Sequence, residues 1–288
     1  MYAQSAMPRP VPQSESRTPD ELRQHYEVEK ELAERLRSAS ASDRRTLYTA
    51  LYNELLTRVP RHPLLTTNVD PATTVTMVNA QLRILEPYVR PDATFLEIGA
   101  GGCALSVAMA SRVARVYALD VSEEIVRDAS MPENGQVLIS DGVEIPLADH
   151  TVDLAYSNQL MEHLHPDDAQ VQLENIRRVL KRGSAYVCIT PNGLTGPHDI
   201  SAYFDDVPTG FHLQEYSVSS ITKTFRSAGF DTVRVLVGAR DRFAALHPWP
   251  VIALEAGLAR LAPDVRRTLV QRLRLTALLG IRVVARTR

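Results

Sequence analysis

The stretch ATFLEIGAGGCALSVAMA, residues 93–110, decides the fold. Its segment TFLEI has the apolar character of a short buried strand, and Gly99, Gly101 and Ala104 follow in G-x-G-x-x-A spacing at the start of a helical pattern. A glycine loop between a strand and a helix lets a ligand come close to the backbone. Glu97, two residues before the first glycine, has no evident role beside a pyrophosphate but suits a ligand that carries positive charge.

The composition limits the architecture and the partners. The chain has 288 residues, 44% of them hydrophobic, which is enough for one large domain or for that domain with a modest additional piece. The formal net charge of -2 shows no basic excess, so neither a nucleic acid nor an anionic membrane is an expected partner. We expect a small-molecule partner, and the sequence leaves a homodimer open.

The cysteines and the N-terminus indicate a reducing compartment. Cys103 and Cys188 both lie in apolar surroundings, which argues against a disulfide framework. The N-terminal segment lacks the apolar run of a signal peptide, and no stretch approaches the length of a membrane span. We therefore expect a cytoplasmic protein.

Three regions of the chain differ in pattern. Residues 1–18 are rich in Pro, Ser and Gln, which predicts a flexible tail. Residues 19–90 are predicted to form a helical N-terminal extension or lid, because leucines recur at helical spacing among charged residues. Residues 91–288 are predicted to form the main domain, with a helical insert at about 241–278.

Short β-branched runs alternate with helical patterns through the main domain, which is typical of an α/β fold with a parallel sheet and helices on both faces. The predicted strands cover residues 94–98, 115–120, 136–140, 152–157, 184–190, 231–237 and 280–286. The predicted helices that follow lie at about 102–111, 122–129, 167–180 and 217–228.

Two further acids follow the glycine loop at the ends of predicted strands. Asp120 closes YALD, where a carboxylate can accept hydrogen bonds from both hydroxyls of a ribose. Asp141 follows LIS, where an acceptor can meet an adenine amino group. Because parallel strands end at one edge of a sheet, Glu97, Asp120 and Asp141 are expected to line one side of a ligand crevice.

The order of several motifs resembles that of class I S-adenosylmethionine-dependent methyltransferases of the small-molecule type. The motifs are LEIGAGGCA, YALDVS, DGVEIPLADHTVDLAYSNQLMEHL, RVLKRGSAYVCITPNG and GFHLQEYS, and the resemblance covers roughly residues 90–238 and the final strand. It implies a Rossmann-like sheet of seven mostly parallel strands with an antiparallel last strand. It also implies S-adenosyl-L-methionine as the cofactor.

The resemblance also implies which residues hold the cofactor. It places Glu97, Gly99 and Gly101 at the methionine side of the cofactor and Asp120 at the ribose. Asp141 and Gly142 are placed at the adenine, and Asn158 and Gln159 in the loop beneath the sulfonium. The neighbouring residues Ala100, Val121 and Val143 complete the predicted cofactor site. Cys103 stands where the family often has a third glycine. The next helix is therefore expected to start slightly differently.

Three histidines are candidates for a catalytic base. Methyl transfer is an in-line displacement, so a base is needed only where the acceptor must lose a proton. His163, in MEHLHPDD just past the fourth strand, is the first candidate, and His198 and His212 follow. The alternative for each is a capping or packing role.

A divalent ion held by some of His163, His165, Asp167, Asp205 and Asp206 is a further alternative. Acids at a helix start are more often solvated groups that interact favourably with the helix dipole, so no metal site is predicted. The long loop at 191–216 is expected to form one wall of the acceptor pocket, with the N-terminal helices and the insert as its cover.

The sequence thus predicts methyl transfer from S-adenosylmethionine to a small molecule, either a natural product or a glycan precursor. Oxygen is the first choice of acceptor atom, before carbon or nitrogen. Three alternatives stay open: an NAD(P)- or flavin-dependent oxidoreductase, a methyltransferase-like protein that binds without catalysis, and a reaction that uses the cofactor's charge without methylation.

Overall fold

The computed structural model describes residues 9–12, 15–63, 71–127, 129–239, 242–273 and 275–288. Its N-terminal part contains the helices α1 (Pro19–Ser38), α2 (Ala41–Arg58) and α3 (Pro71–Leu85). Thr18 caps α1 by accepting a hydrogen bond from the N–H of Glu21, whose carboxylate in turn accepts one from the N–H of Thr18. Residues 1–8, 13 and 14 of the predicted tail lie outside the described residues, whereas Arg17 and Glu15 form an ion pair.

The main domain is built on one eight-stranded sheet in the order β3-β2-β1-β4-β5-β8-β6-β7. Its strands are β1 (Thr94–Ile98), β2 (Arg115–Asp120), β3 (Gly135–Ile139), β4 (Val152–Asn158), β5 (Leu180–Thr190), β6 (Thr232–Ala239), β7 (Arg242–Leu246) and β8 (Ile281–Arg286). The strands β1 to β5 pair in parallel, and β8 lies antiparallel between β5 and β6. The predicted α/β class, with a mostly parallel sheet and an antiparallel last strand, is confirmed.

The eighth strand was not predicted. The segment expected as a helical insert at 241–278 begins with β7, which pairs antiparallel with β6, and only then continues into α8 (Trp249–Leu258), α9 (Pro263–Arg272) and α10 (Thr276–Leu279). Gly238 permits the chain to fold back from β6 into β7, because a Cβ at this position would overlap the carbonyl oxygen of Arg242. The strand is short and almost wholly exposed, so its residues carry no alternating apolar signal.

Helices cover both faces of the sheet. Those within the main domain are α4 (Ala104–Ala110), α5 (Glu123–Val126), α6 (Pro166–Val179) and α7 (Val218–Ser227). The two-residue period of β1 divides its side chains between two cores: Leu96 and Ile98 join the core that includes Leu51 of α2, and Phe95 joins the core that includes Leu105 of α4. The extension is thus part of the main hydrophobic core.

The helices α1 and α2 are also tied to the main domain by polar contacts. Arg44 of α2 forms a buried ion pair with Asp168 of α6, with 2.6 Å from Nε to Oδ2. Arg37 of α1 donates hydrogen bonds to carbonyls of the loop 191–216, including those of Thr209 at 3.1 Å and Gly210 at 3.0 Å. Within the described residues, no helix has both the length and the apolar character needed to cross a membrane.

Candidate functional site

A cavity of about 210 Å³ lies at the edge of the sheet where the parallel strands end. It is lined by the glycine loop, the ends of β1 to β3, the segment after β4 and two tyrosines of α2. This volume is smaller than the about 300–1,000 Å³ of ordinary small-molecule sites. The side chains of Tyr48 and Tyr52 of α2 are part of the lining and take up space at this edge. A crevice at this edge was predicted from the strand order.

The glycine loop forms the wall of the cavity next to β1. Gly99 and Gly101 have φ values of +71° and +51°, a backbone conformation that residues with a Cβ rarely adopt. A Cβ on Gly99 would lie 3.2 Å from the side chain of Leu160, whereas Gly101 faces open space. Cys103 has φ of +60° at the N-cap of α4, so the position where the family often has glycine keeps a glycine-like conformation.

Asp120 connects the glycine loop to the end of β2. Its Oδ2 accepts a hydrogen bond from Gly101 N–H at 2.8 Å, and its Oδ1 accepts from Val121 N–H at 2.8 Å and from Ser122 N–H at 3.1 Å. The residue lines the cavity. Because a carboxylate offers about four acceptor positions, Asp120 can hold the loop and still accept from a ligand hydroxyl.

Glu97 lies beside the glycine loop on the α4 side of the sheet. Its Oε2 accepts a hydrogen bond from the Ser106 hydroxyl at 2.6 Å. Burial, together with a smaller effect of the nearby Asp120 carboxylate, raises the pKa of Glu97 to about 7 against the opposing hydrogen bonds of Ser106. A cation bound near this carboxyl group would favour its ionised form.

The two residues predicted at the adenine side differ in position, because Gly142 lines the cavity and Asp141 is not in its lining. Gly142 lines the cavity, and its carbonyl accepts a hydrogen bond from Gln172 at 2.7 Å. The Asp141 Oδ1 atom accepts hydrogen bonds from Val143 N–H at 2.9 Å and from Glu144 N–H at 2.8 Å. Its other oxygen, Oδ2, pairs with Arg45 of α2 at 3.1 Å. Asp141 thus shapes its own loop and contacts α2.

The segment after β4 forms the floor of the cavity. Gln159 has φ of +54°, and its N–H donates to the Ile189 carbonyl at 2.8 Å. Gln159 and Leu160 line the cavity, whereas Asn158 is the last residue of β4 and does not. Ala100 and Val143 are buried beside the cavity, and Val121 lines it.

The two tyrosines of α2 were missed by the sequence analysis. The hydroxyl of Tyr48 donates to Asp168 Oδ2 at 2.7 Å and accepts from His165 N–H at 2.9 Å, and its ring lies against Gly142. Tyr52 stacks on Phe211, with ring centroids 5.1 Å apart. Tyr48 and Tyr52 are four residues apart on a predicted helix, which was the available signal that they share a face.

Two of the three candidate histidines meet at the cavity. His163 lines it, and its Nδ1 lies 3.0 Å from the Phe211 carbonyl, which can only accept, so Nδ1 carries the proton and Nε2 has a free lone pair. Burial, together with a charge on His212, lowers the pKa of His163 to about 4. The ring of His212 lies 4.9 Å from that of His163.

Glu215 connects His212 with the third candidate. Its Oε1 accepts from His212 Nδ1 at 2.8 Å and from the backbone N–H of His198 at 2.6 Å. Burial alone would lower the pKa of His212, but the hydrogen bond with Glu215 and nearby carboxylates outweigh it and raise the pKa. The ring of His198 instead bonds to the Asn192 carbonyl at 3.1 Å and lies outside the cavity lining.

Glu162 is a buried acid beside these histidines. Its Oε2 accepts from the Thr190 hydroxyl at 2.8 Å, and its Oε1 is buried without a hydrogen-bond partner. Burial raises the pKa of Glu162 to about 7. One ligand atom from each of Glu162, His163 and His212 lies within 4.8 Å of the others.

Among the described residues weighed earlier for an ion, His163 alone belongs to that set. The Asp167 side chain is exposed at the start of α6, and Asp205 accepts hydrogen bonds from Tyr26 at 2.7 Å and from Thr209 at 2.5 Å. Asp206 pairs with Arg9. The insert was expected to cover the acceptor pocket, but none of its described residues lines the cavity. Glu255 of α8 instead accepts a hydrogen bond from Asn192 of the loop 191–216 at 2.6 Å.

Comparisons with known proteins identify a domain at this site. Residues 96–188 match the model of a family described as a methyltransferase domain. No curated protein is significantly similar to the chain in sequence.

Solved methyltransferase structures share the fold. A chain of the complex between the Haloferax volcanii Trm112 methyltransferase activator and a methyltransferase is 19% identical, with a TM-score of 0.51 over 75% of this chain and 94% of that one. Haemonchus contortus phosphoethanolamine N-methyltransferase 1, bound to phosphoethanolamine and S-adenosylhomocysteine, is 20% identical, with a TM-score of 0.50 over 64% of this chain and 40% of that one.

The second Haemonchus contortus enzyme, phosphoethanolamine N-methyltransferase 2 bound to S-adenosyl-L-methionine, is 16% identical, with a TM-score of 0.50 over 78% of this chain and 59% of that one. The match therefore spans less than two thirds of each Haemonchus chain. At these sequence identities, the comparison shows a shared fold and nothing more specific.

Proposed function

Because the chain carries a class I S-adenosylmethionine-dependent methyltransferase domain with S-adenosyl-L-methionine as its cofactor, we propose that it methylates a hydroxyl oxygen of a small molecule. One observation carries this proposal: the glycine loop, Asp120 and His163 line the same cavity. A cofactor wall and a neutral imidazole with a free Nε2 lone pair thus face one space, an arrangement that supports transfer to a hydroxyl group.

The charge of the cavity fits this cofactor. Its described lining contains the carboxylate of Asp120 and neither lysine nor arginine, and Glu97 lies beside the glycine loop. A ligand with an ammonium and a sulfonium group suits acids at this place. A pyrophosphate would meet no cationic side chain among the described lining residues, so the lining does not favour the oxidoreductase alternative.

The residues around the cavity have separate tasks in this proposal. The backbone at Gly99 and Gly101 admits the methionine end, Asp120 accepts from the ribose hydroxyls, and Gly142 lies beside the adenine. The bound cofactor supplies a methyl group on a positively charged sulfur, which keeps the electron pair of the broken C–S bond. Tyr48 and Tyr52 exclude water on the side of the cavity that α2 forms, which strengthens electrostatic interactions inside the cavity.

The acceptor lies on the side of His163 in this proposal. Its hydroxyl oxygen forms the new bond to the methyl carbon, and the hydroxyl proton passes to the Nε2 lone pair of His163, which lies in the cluster with Glu162 and His212. His198 is not part of this cluster, and its ring lies outside the cavity lining. The acceptor class is a natural product or a glycan precursor with a free hydroxyl group.

Calorimetric titration with S-adenosylmethionine and S-adenosylhomocysteine tests the cofactor site. We expect micromolar binding of both ligands, lost in Asp120→Ala and unchanged in Asp92→Ala, whose carboxylate is exposed before β1. A folded Asp120→Ala protein that binds as tightly as the wild type would overturn the assigned cofactor site.

Turnover is then measured as S-adenosylhomocysteine formed with panels of sugar, phenolic and aliphatic hydroxyl acceptors, and with phosphoethanolamine as an amine acceptor. Product with a hydroxyl acceptor supports the proposal. Cofactor binding with no turnover on any hydroxyl, or turnover on amines alone, contradicts it.

A further inference from the structure

Glu162, His163 and His212 come from two separate segments and meet beside the cavity. Glu162 and His163 belong to the short 3-10 turn Met161–His163 after β4, and His212 belongs to the loop 191–216. One ligand atom of each lies within 4.8 Å of one in both others. Metal–nitrogen and metal–oxygen bonds are about 2.0–2.2 Å long, so a small side-chain shift brings all three onto one ion.

Each of the three side chains is held by one polar atom and leaves the other unused. His163 Nδ1 bonds to the Phe211 carbonyl, and His212 Nδ1 bonds to Glu215 Oε1. Glu162 Oε2 accepts from Thr190. Histidine ligands of metals ordinarily donate their other ring N–H to a carbonyl or a carboxylate, which is the pattern found at both histidines.

The unpartnered oxygen of Glu162 is a second, independent observation that points to a cationic ligand. Glu162 has no exposed surface, and its Oε1 has no hydrogen-bond partner. An ionised carboxylate in such a place is unfavourable unless it is paired or coordinates a metal. The described residues offer it no lysine or arginine partner.

The other histidine-rich group of the described residues lacks these features. His25 is engaged at both ring nitrogens, with Arg17 at 2.7 Å from Nδ1 and Glu29 at 3.0 Å from Nε2. The Arg17 guanidinium would repel a cation there. His25 thus hydrogen-bonds to Glu29, and His62 Nε2 lies 3.8 Å from the same carboxylate within the extension.

We propose that Glu162, His163 and His212 bind a divalent transition-metal ion at the edge of the cavity. Two imidazoles and one carboxylate suit ions such as Zn²⁺, Fe²⁺ or Co²⁺ and leave coordination positions open for an exogenous ligand. His163 lines the cavity, so an open position would face the acceptor.

The role of the ion rests on the proposed function. A hydroxyl group bound to the ion has a lowered pKa and loses its proton to water, while its oxygen keeps the electron pair that forms the bond to the methyl carbon. His163 then acts as a ligand, and the ion replaces a protein base. This favours acceptors that offer two neighbouring oxygen atoms, such as vicinal diols or hydroxy acids.

Metal binding is tested without turnover, on tag-free protein treated with a chelator and then dialysed. Zn²⁺ is titrated calorimetrically, and Co²⁺ is followed by its visible absorption. We expect one ion per chain, a rise in melting temperature with Zn²⁺, and at least about 100-fold weaker binding in Glu162→Gln, because losing even the partner of a metal ligand weakens affinity about 10–100-fold.

The matched control is His247→Gln, which alters an exposed histidine far along the chain in the segment after β7. It should bind the ions as the wild type does. Cofactor binding by Glu162→Gln shows that this variant is folded. Absence of stoichiometric Zn²⁺ and Co²⁺ binding by the wild type, or equal affinity in folded Glu162→Gln, overturns the inference. Metal binding without methyl transfer would contradict the proposed function alone.

Discussion

Removal of the Arg44 guanidinium should strongly destabilise the protein. Arg44 and Asp168 are 3% and 5% exposed, and they meet through two hydrogen bonds, Nε to Oδ2 at 2.6 Å and Nη2 to Oδ1 at 2.7 Å. Tyr48 donates to the same carboxylate at 2.7 Å. Arg44→Ala would leave the Asp168 carboxylate buried with Tyr48 as its remaining side-chain donor.

The expected loss follows from the burial of this pair. Breaking a buried ion pair by removing one partner costs about 3–5 kcal/mol, because a buried charge stays uncompensated. At ~2 °C per kcal/mol for a chain of this size, the melting temperature should fall by about 6–10 °C. The cores of the extension and the main domain are continuous, so one cooperative transition is expected.

Arg45→Ala is the matched control. Arg45 is the next residue of α2, but its side chain is 40% exposed and pairs with Asp141 at 3.1 Å and Glu144 at 2.7 Å at the surface. Exposed ion pairs contribute about 0–1 kcal/mol, so its melting temperature should change by at most about 2 °C.

Thermal and denaturant unfolding of both variants at neutral and acid pH provide the assay. Burial alone would raise the pKa of Asp168, but the hydrogen bonds from Arg44 and Tyr48 outweigh it and lower the pKa. This stabilisation is present above the ordinary aspartate pKa and is lost as pH falls through the lowered value. The gap between wild type and Arg44→Ala should therefore narrow in acid. Equal stabilities of the two variants at neutral pH would refute the reasoning.

Two further predictions concern the cofactor site. Burial raises the pKa of Glu97 to about 7, so the affinity for S-adenosylmethionine should rise between pH 6 and 8 as this carboxyl group ionises. Calorimetry should show no such rise in Glu97→Gln. The same pH dependence of affinity in both proteins would contradict a role of Glu97 in holding the cofactor's positive charge. Gly142→Ala should lower the free energy of unfolding by about 1 kcal/mol or more beyond the loss in Gly101→Ala. Both positions have positive φ, but only at Gly142 would a Cβ lie 3.0 Å from the Tyr48 ring. Equal losses of stability in the two variants would show that this contact is unimportant.

The predictable parts of the fold depend on local patterns. The strand TFLEI, the glycine loop and Asp120 were located from residues adjacent in sequence, because side-chain period and positive-φ glycines are local properties. The strand β7 was missed for the same reason, since five exposed residues after Gly238 carry no burial pattern. Its place depends on pairing with β6.

The site was predictable only where a motif ended a strand. Asp120 and Gly142 reached the cavity as expected, because parallel strands end at one edge. The sequence alone placed His163 first as a candidate base, with His198 and His212 behind it. The cavity lining separates two of them, since His163 lines the cavity, whereas the ring of His198 bonds to the Asn192 carbonyl outside that lining.

The sequence by itself determined the α/β order, the methyltransferase motifs and the acids at the strand ends, because each depends on contacts between near neighbours in the chain. The tertiary structure decided that Arg44 ties α2 to Asp168, that Tyr48 and Tyr52 line the cavity, and that His212 meets His163. These contacts join residues far apart in the sequence, and no local periodicity encodes which distant side chains will share one buried space.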